Sequence, residues 1–165
     1  MAEIKTNVYV CGENIAGQLG INNVVNLTKF QKLENLNNIV KVRAGGLHTV
    51  CLDSKGNVYT FGCNDEFALG RKTNDENDEA CPTRLNLPEK VVDISCGDCH
   101  TVFLYASGTV AACGLIRVFV FKIYSRINYY IRVFVYETKN YLFAEFVRTI
   151  FDFIKLRRPK SENLF

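Results

Sequence analysis

The feature that most constrains this chain is recurrence. NVYVCGENIAGQLG (Asn7 to Gly20) returns as NVYTFGCNDEFALG (Asn57 to Gly70), and TVAACG opens a third copy at Thr109 that then breaks off. A second phrase recurs as well: IVKVRAGGLHTVCL (Ile39 to Leu52) matches VVDISCGDCHTVFL (Val91 to Leu104). The period is about 50 residues, in the range of propeller blades and solenoid units. A unit of this size cannot bury both of its faces alone, so it needs neighbours, and a closed ring of blades supplies them.

Within one unit, Val40 to Arg43 reads as a short strand. Gly45-Gly46 follows, where the backbone takes positive φ or allows close approach. His48 to Leu52 is a second strand, Asp53-Ser54-Lys55-Gly56 a hairpin turn with Gly at the left-handed position, and Asn57 to Phe61 a third strand. Gly62 and Gly70 bracket a polar loop, as Gly12 and Gly20 do one period earlier, and a long acidic loop runs from Thr73 to Glu89. Short strands at this spacing, with no convincing helix, predict an all-β fold.

The two ends of the chain differ in character. Leu115 to Phe165 holds 10 Lys/Arg against 4 Asp/Glu, whereas the 165-residue chain as a whole carries only +3. That asymmetry sets a boundary near Gly114: repeats in 1–114 and a divergent segment in 115–165. The seven cysteines are an odd number, and several lie in apolar runs such as Val50-Cys51-Leu52. With an N-terminus lacking the marks of a signal peptide, they suggest reduced thiols in an intracellular protein, not a secreted one. No run of about 18 apolar residues free of charge is present, so a conventional spanning helix is not expected.

These residues resemble the regulator of chromosome condensation family. GGLHTVCLDSKGNVYTFGCNDEFALGR is more specific than the general V-Y-x-x-G, G-Q-L-G and G-x-x-H signature, and the resemblance covers roughly Asn7 to Gly114. It implies a partial seven-bladed β-propeller of about two blades. In the exchange factors of the family, one propeller face meets the small GTPase Ran and promotes loss of GDP. The Asp of the family's G-D-x-H-T segment falls on Asp98, in CGDCHT, which makes Asp98 the candidate GTPase contact. The Asp that precedes G-Q-L-G in the family is replaced here, with Ile15 at that place. The β-wedge expected in the third repeat is not recognisable in LIRVFVFKIYSR. The resemblance further implies a nuclear protein, with the cytoplasm the other intracellular choice, and no cofactor. It implies chromatin contact only for a full-length member.

Leu115 to Phe165 has no glycine, and IRVFVF at Ile116 recurs as IRVFVY at Ile131, both β-prone. From Tyr141 onward, Leu142, Phe143, Phe146, Val147, Ile150, Phe151 and Ile154 share one face, predicting an amphipathic helix over 141–157. Two origins compete: a genuine extension packed on a blade edge or a membrane surface, or a transcript or gene model that leaves the family in mid-repeat. The break in mid-repeat, and the dominance of residue types whose codons are A/T-rich, favour the second. The expectation is a truncated family member with an unpaired sheet edge.

Other candidates have plainer readings. Cys96 and Cys99 form C-x-x-C, but a second ligand pair is missing and the segment matches the repeat position of AGGLH, so no metal is expected. His48 and His100 recur at one repeat position, which suits a buried turn-holding imidazole better than a catalytic base. Gly12, Gly20, Gly45, Gly46, Gly62, Gly70, Gly97 and Gly114 are likewise repeat-structural. Asp98 could equally cap its turn. The run Asp75, Glu76, Asp78, Glu79 reads as a solvated loop, or else as a docking patch for a basic partner. Arg157, Arg158 and Lys160 are the only clustered bases of the tail, which argues weakly for nucleic acid. G-x-S-x-G, H-E-x-x-H and Walker patterns are all missing, so no catalytic chemistry of the chain's own is expected. The alternative to an exchange factor is a repeat-type binding or scaffold segment. A membrane-associated protein anchored by its aromatic tail is a third, weaker reading.

Overall fold

The computed structural model describes residues 6–115 and the backbone of 133–134. The helix expected over 141–157 lies outside the described residues. Three sheets succeed one another along the chain. The first pairs β1 (Val8–Glu13) with β2 (Asn26–Leu33). The second has β3 (Ile39–Ala44), β4 (His48–Asp53), β5 (Val58–Gly62) and β6 (Thr83–Arg84) in sequential antiparallel order. The third repeats that order with β7 (Val91–Cys96), β8 (His100–Tyr105) and β9 (Val110–Gly114). On the outer edge of β9, the short β10 (Val133–Phe134) runs parallel; β6 runs antiparallel at the same place one sheet earlier.

The strands form where β-branched and aromatic residues cluster between turn residues. Asp53 fixes the β4–β5 turn: its Oδ1 accepts from the Lys55 and Asn57 amides at 2.9 and 2.8 Å. Gly56, at φ 84°, takes the left-handed place that the turn needs, and Gly108, at φ 88°, does so one repeat later.

The sheets stack face to face, and alternation along β4 decides which residue goes where. Val50 and Leu52 point into a core shared with Leu85, just after β6, and with Val91, Ile94 and Phe103 of the following sheet. Cys51 points the other way, among Val8, Leu33, Leu36, Ile39 and Phe61. A strand sandwiched between two neighbouring sheets is apolar on both faces, and β4 is buried at every position from Val50 to Asp53. That explains the unbroken apolar run of Val50-Cys51-Leu52. The first strands of the second and third sheets also carry a bulge at the same place, between Ile39 and Lys41 in β3 and between Val91 and Asp93 in β7. Just past these bulges, Lys41 and Asp93, which occupy one repeat position, form an ion pair between the sheets.

Two differences from the sequence reading stand out. The acidic stretch after Thr73 contains α1 (Glu76–Ala80), capped by the Asp75 carboxylate, which accepts from the Asp78 amide at 2.9 Å. Asp78 is not merely solvated: it pairs with Arg71 at 2.9 Å. The Asn74 backbone N–H, then the Arg71 guanidinium, hold its carboxyl below the usual range. The same stretch supplies the fourth strand, β6, whose two residues are too few to show a period.

Candidate functional site

One end of the sheets gathers the glycine-rich segments. The loop before β4 and the loop before β8 are built alike: Gly45 N–H donates to His48 C=O at 2.8 Å, and Gly97 N–H to His100 C=O at 3.0 Å. Residues after the third strands complete the pattern. Cys63 N–H donates to Leu47 C=O, and Leu115 N–H to Cys99 C=O, both at 2.8 Å. Gly12, Gly62 and Gly114 stand at the same strand end with φ of 110°, 107° and 99°. An added Cβ at Gly62 would strike the Leu47 carbonyl, and one at Gly114 the Cys99 carbonyl.

Gly45, Gly46 and Gly97 resolve differently, because close approach and not positive φ requires them. A Cβ at Gly45 or Gly97 would overlap the imidazole of His48 or His100 respectively. At Gly46 it would collide with the Asp98 carboxylate. Gly20 and Gly70 close the following loops at φ 74° and 66°.

The two histidines are 2% and 1% exposed. His48 Nε2 meets Thr101 Oγ1 at 2.9 Å, and Thr101 Oγ1 donates onward to Ala68 C=O at 2.9 Å. Burial, reinforced by the neighbouring His100, pushes the His48 pKa down from 6.5 to about 4, so the ring is neutral at physiological pH. Its bond crosses from one sheet to the next, so it joins blades where the sequence suggested only a turn. One repeat earlier, Thr49 Oγ1 donates to Gln18 C=O at 2.8 Å, the counterpart of the Thr101–Ala68 bond. The C-x-x-C cysteines sit in the same place. Burial pushes the Cys96 thiol up to about 12, as it does Cys113, which leaves both as packed thiols. Among the described residues, no group of three or more His, Cys, Asp and Glu side chains converges. Nor is any described helix long and apolar enough to cross a membrane.

Asp98 is exposed at this end. Its carbonyl accepts from the Gly46 amide at 3.0 Å, tying the two glycine loops together, and its carboxylate lies over Gly46. No hydrogen bond to that carboxylate is found among the described residues, so it does not cap its own turn. Glu13, Ile15, Leu47, Asp65, Glu66 and Phe67 are exposed on the same set of loops.

Sequence reasoning missed Asn14 and Asn64, which organise the loops. Asn14 Oδ1 accepts from Leu19 N–H at 2.8 Å while its Nδ2 donates to Ile21 and Val24 C=O. Asn64 does the same with Leu69 N–H at 3.1 Å, Arg71 C=O and Thr73 Oγ1. The signal was present, since both asparagines stand at one place in the repeat.

Sheets of this order, stacked through their faces and laced at one end by recurring loop bonds, are the blades of a β-propeller. The family model described as regulator of chromosome condensation (RCC1) repeat matches residues 7–52 and 55–104, and a second model of that description matches 39–67. The chain belongs to this family. It is 46% identical to the regulator of chromosome condensation of Xenopus laevis over 111 residues, 67% of this chain and 26% of that protein. The human protein of the same name is 45% identical over the same shares. Among solved structures, Prp20p of Saccharomyces cerevisiae superposes with a TM-score of 0.62 at 28% identity, over 68% of this chain and 29% of that one. That structure is described with its binding properties to Gsp1p and histones. The match thus spans about a quarter of the length of these relatives.

Proposed function

We propose that this chain is a segment of a guanine nucleotide exchange factor for the small GTPase Ran, and that Asp98 is a point of contact. The supporting observation is the placement of Asp98. It is exposed, it lacks a capping duty, and its backbone is pinned between two blades by the Gly46 bond. A carboxylate carried on a backbone held in this way can pair with a basic side chain of the GTPase, steering the encounter and fixing its orientation. Exchange then needs no catalytic group and no cofactor. A face that binds the nucleotide-free GTPase more tightly than the loaded one shifts the equilibrium toward release. The sequence boundary near Gly114 separates the repeats that present this face from a segment of different character. Kinship with the regulators of chromosome condensation, and the binding properties described for Prp20p, support a nuclear protein that engages such a GTPase. Contact with histones or chromatin is carried over only for a complete member of the family.

A second reading is favoured by one observation: the match covers 26% of the Xenopus relative. The chain is then a binding module that engages its partner without driving exchange. Release of fluorescent GDP from Ran separates the two. The exchange reading expects acceleration by the wild-type chain, reduced about tenfold in Asp98→Ala. Binding of Ran without any acceleration would leave the module reading in its place.

A further inference from the structure

Phe67 stands in the left-handed region, at φ 64°. A residue with a Cβ occupies that region at a cost, and a bulky one rarely does so. The repeat offset aligns it with Gly17, whose φ is 71°, so the loop keeps its shape while the residue changes from glycine to phenylalanine. Even so, 43% of its surface stays open to solvent. Strain combined with exposure of an aromatic side chain points to a use outside the fold.

The loop that presents the ring is held from both sides. Phe67 N–H donates to Asn64 C=O at 2.9 Å, and Gly70 N–H to Phe67 C=O at 3.1 Å. The next residue, Ala68, accepts from Thr101 Oγ1 at 2.9 Å and from Cys113 Sγ at 3.4 Å, and Thr60 Oγ1 donates to Leu69 C=O at 2.9 Å. Thr101 is in turn bonded to the buried His48. Two exposed carboxylates, Asp65 and Glu66, immediately precede the ring.

We propose that Phe67 is an aromatic anchor for a folded protein partner, entering an apolar socket rimmed by Lys and Arg that Asp65 and Glu66 meet. Aromatic side chains seated in desolvated pockets carry most of the binding energy of such interfaces, and charges at the rim govern encounter. With the backbone of the loop already fixed, binding has only the rotation of the ring left to restrict. The inference rests on the reading that this loop end faces the GTPase. It adds the residue on which that contact turns.

The test uses the full chain, nucleotide-free Ran as probe, and two readouts, affinity by interferometry and the urea midpoint. Phe67→Gly is expected to weaken binding at least tenfold, on the order of a hot-spot residue, while raising the midpoint, because glycine relieves the left-handed strain. Phe67→Asn, a residue tolerant of that backbone, should lose binding equally. The Asp65→Asn, Glu66→Gln pair should slow association and flatten its salt dependence. A lowered midpoint in Phe67→Gly would mean that the ring packs inside the molecule, and would overturn the anchor. So would full affinity in Phe67→Gly alongside weakened binding in Asp98→Ala, which leaves the GTPase reading standing. No binding by the wild-type chain would overturn both.

Discussion

Acidification should loosen the joint between the second and third blades, and His48 sets how much. In the unfolded chain the imidazole takes a proton near 6.5, whereas in the folded chain it does so only near 4. Between those values the unfolded state binds more protons. The stability that a neutral His48 contributes is therefore intact above about 6.5 and drains away as the pH falls toward about 4. Linkage over that gap gives a loss of about 2 kcal/mol between pH 7 and pH 5. The ring is 2% exposed, so solvent screening takes little from that figure. The assay is urea unfolding at the two pH values for the wild type and for His48→Gln, which keeps a polar group beside Thr101 but cannot titrate. Carboxylates titrate alike in both proteins and cancel in the comparison. The wild type should lose about 2 kcal/mol more than the variant. Parallel pH profiles would refute the argument, because they would mean that the His48 ring is hydrated or already charged in the folded protein.

Two further outcomes bear on the loops themselves. Gly97→Ala should destabilise by about 2 kcal/mol or more, since its Cβ overlaps the His100 ring and a packed imidazole cannot step aside, and thermal unfolding reads this directly. Asn64→Ala removes the acceptor for Leu69 N–H and the donor to Arg71 C=O, so stability should fall by about 2 kcal/mol and amide exchange at Leu69 should quicken, with the core amide of Val102 little affected.

Much of this was legible because the repeat writes each strand twice. Val40 to Arg43 and His48 to Leu52 are strands in the structure, each extended by a residue or so, while the strand read from Asn57 to Phe61 is displaced by one residue to Val58–Gly62. The turn at Asp53 could be read from its Gly56, since a left-handed corner leaves few choices of residue. What stayed hidden depends on partners far away in sequence. Strands β2 and β6 take their place from pairing with β1 and β5, and NLTKFQKL and TR share no phrase that would advertise a common role. Lys41 and Asp93 could be aligned by repeat position, yet only the stacking of β3 on β7 turns that alignment into a contact. Phe67 shows the same limit. Its alignment with Gly17 is visible in the letters, but the cost of the position appears only once its φ is known.

The units recognised in the sequence are out of step with the sheets. The segment 7–52 contributes both strands of the first sheet and the first two of the second, and 55–104 begins again inside the β4–β5 hairpin. Duplicating such a segment during evolution therefore never produces a loose module. Each new copy arrives with its first strand promised to the copy before it and its last strand to the copy after it, as β5 pairs with β4 and β8 with β9. For anyone cutting the chain, the seams run between sheets, near 34–38 and 85–90, and a cut at the borders of the repeats would tear a sheet down the middle.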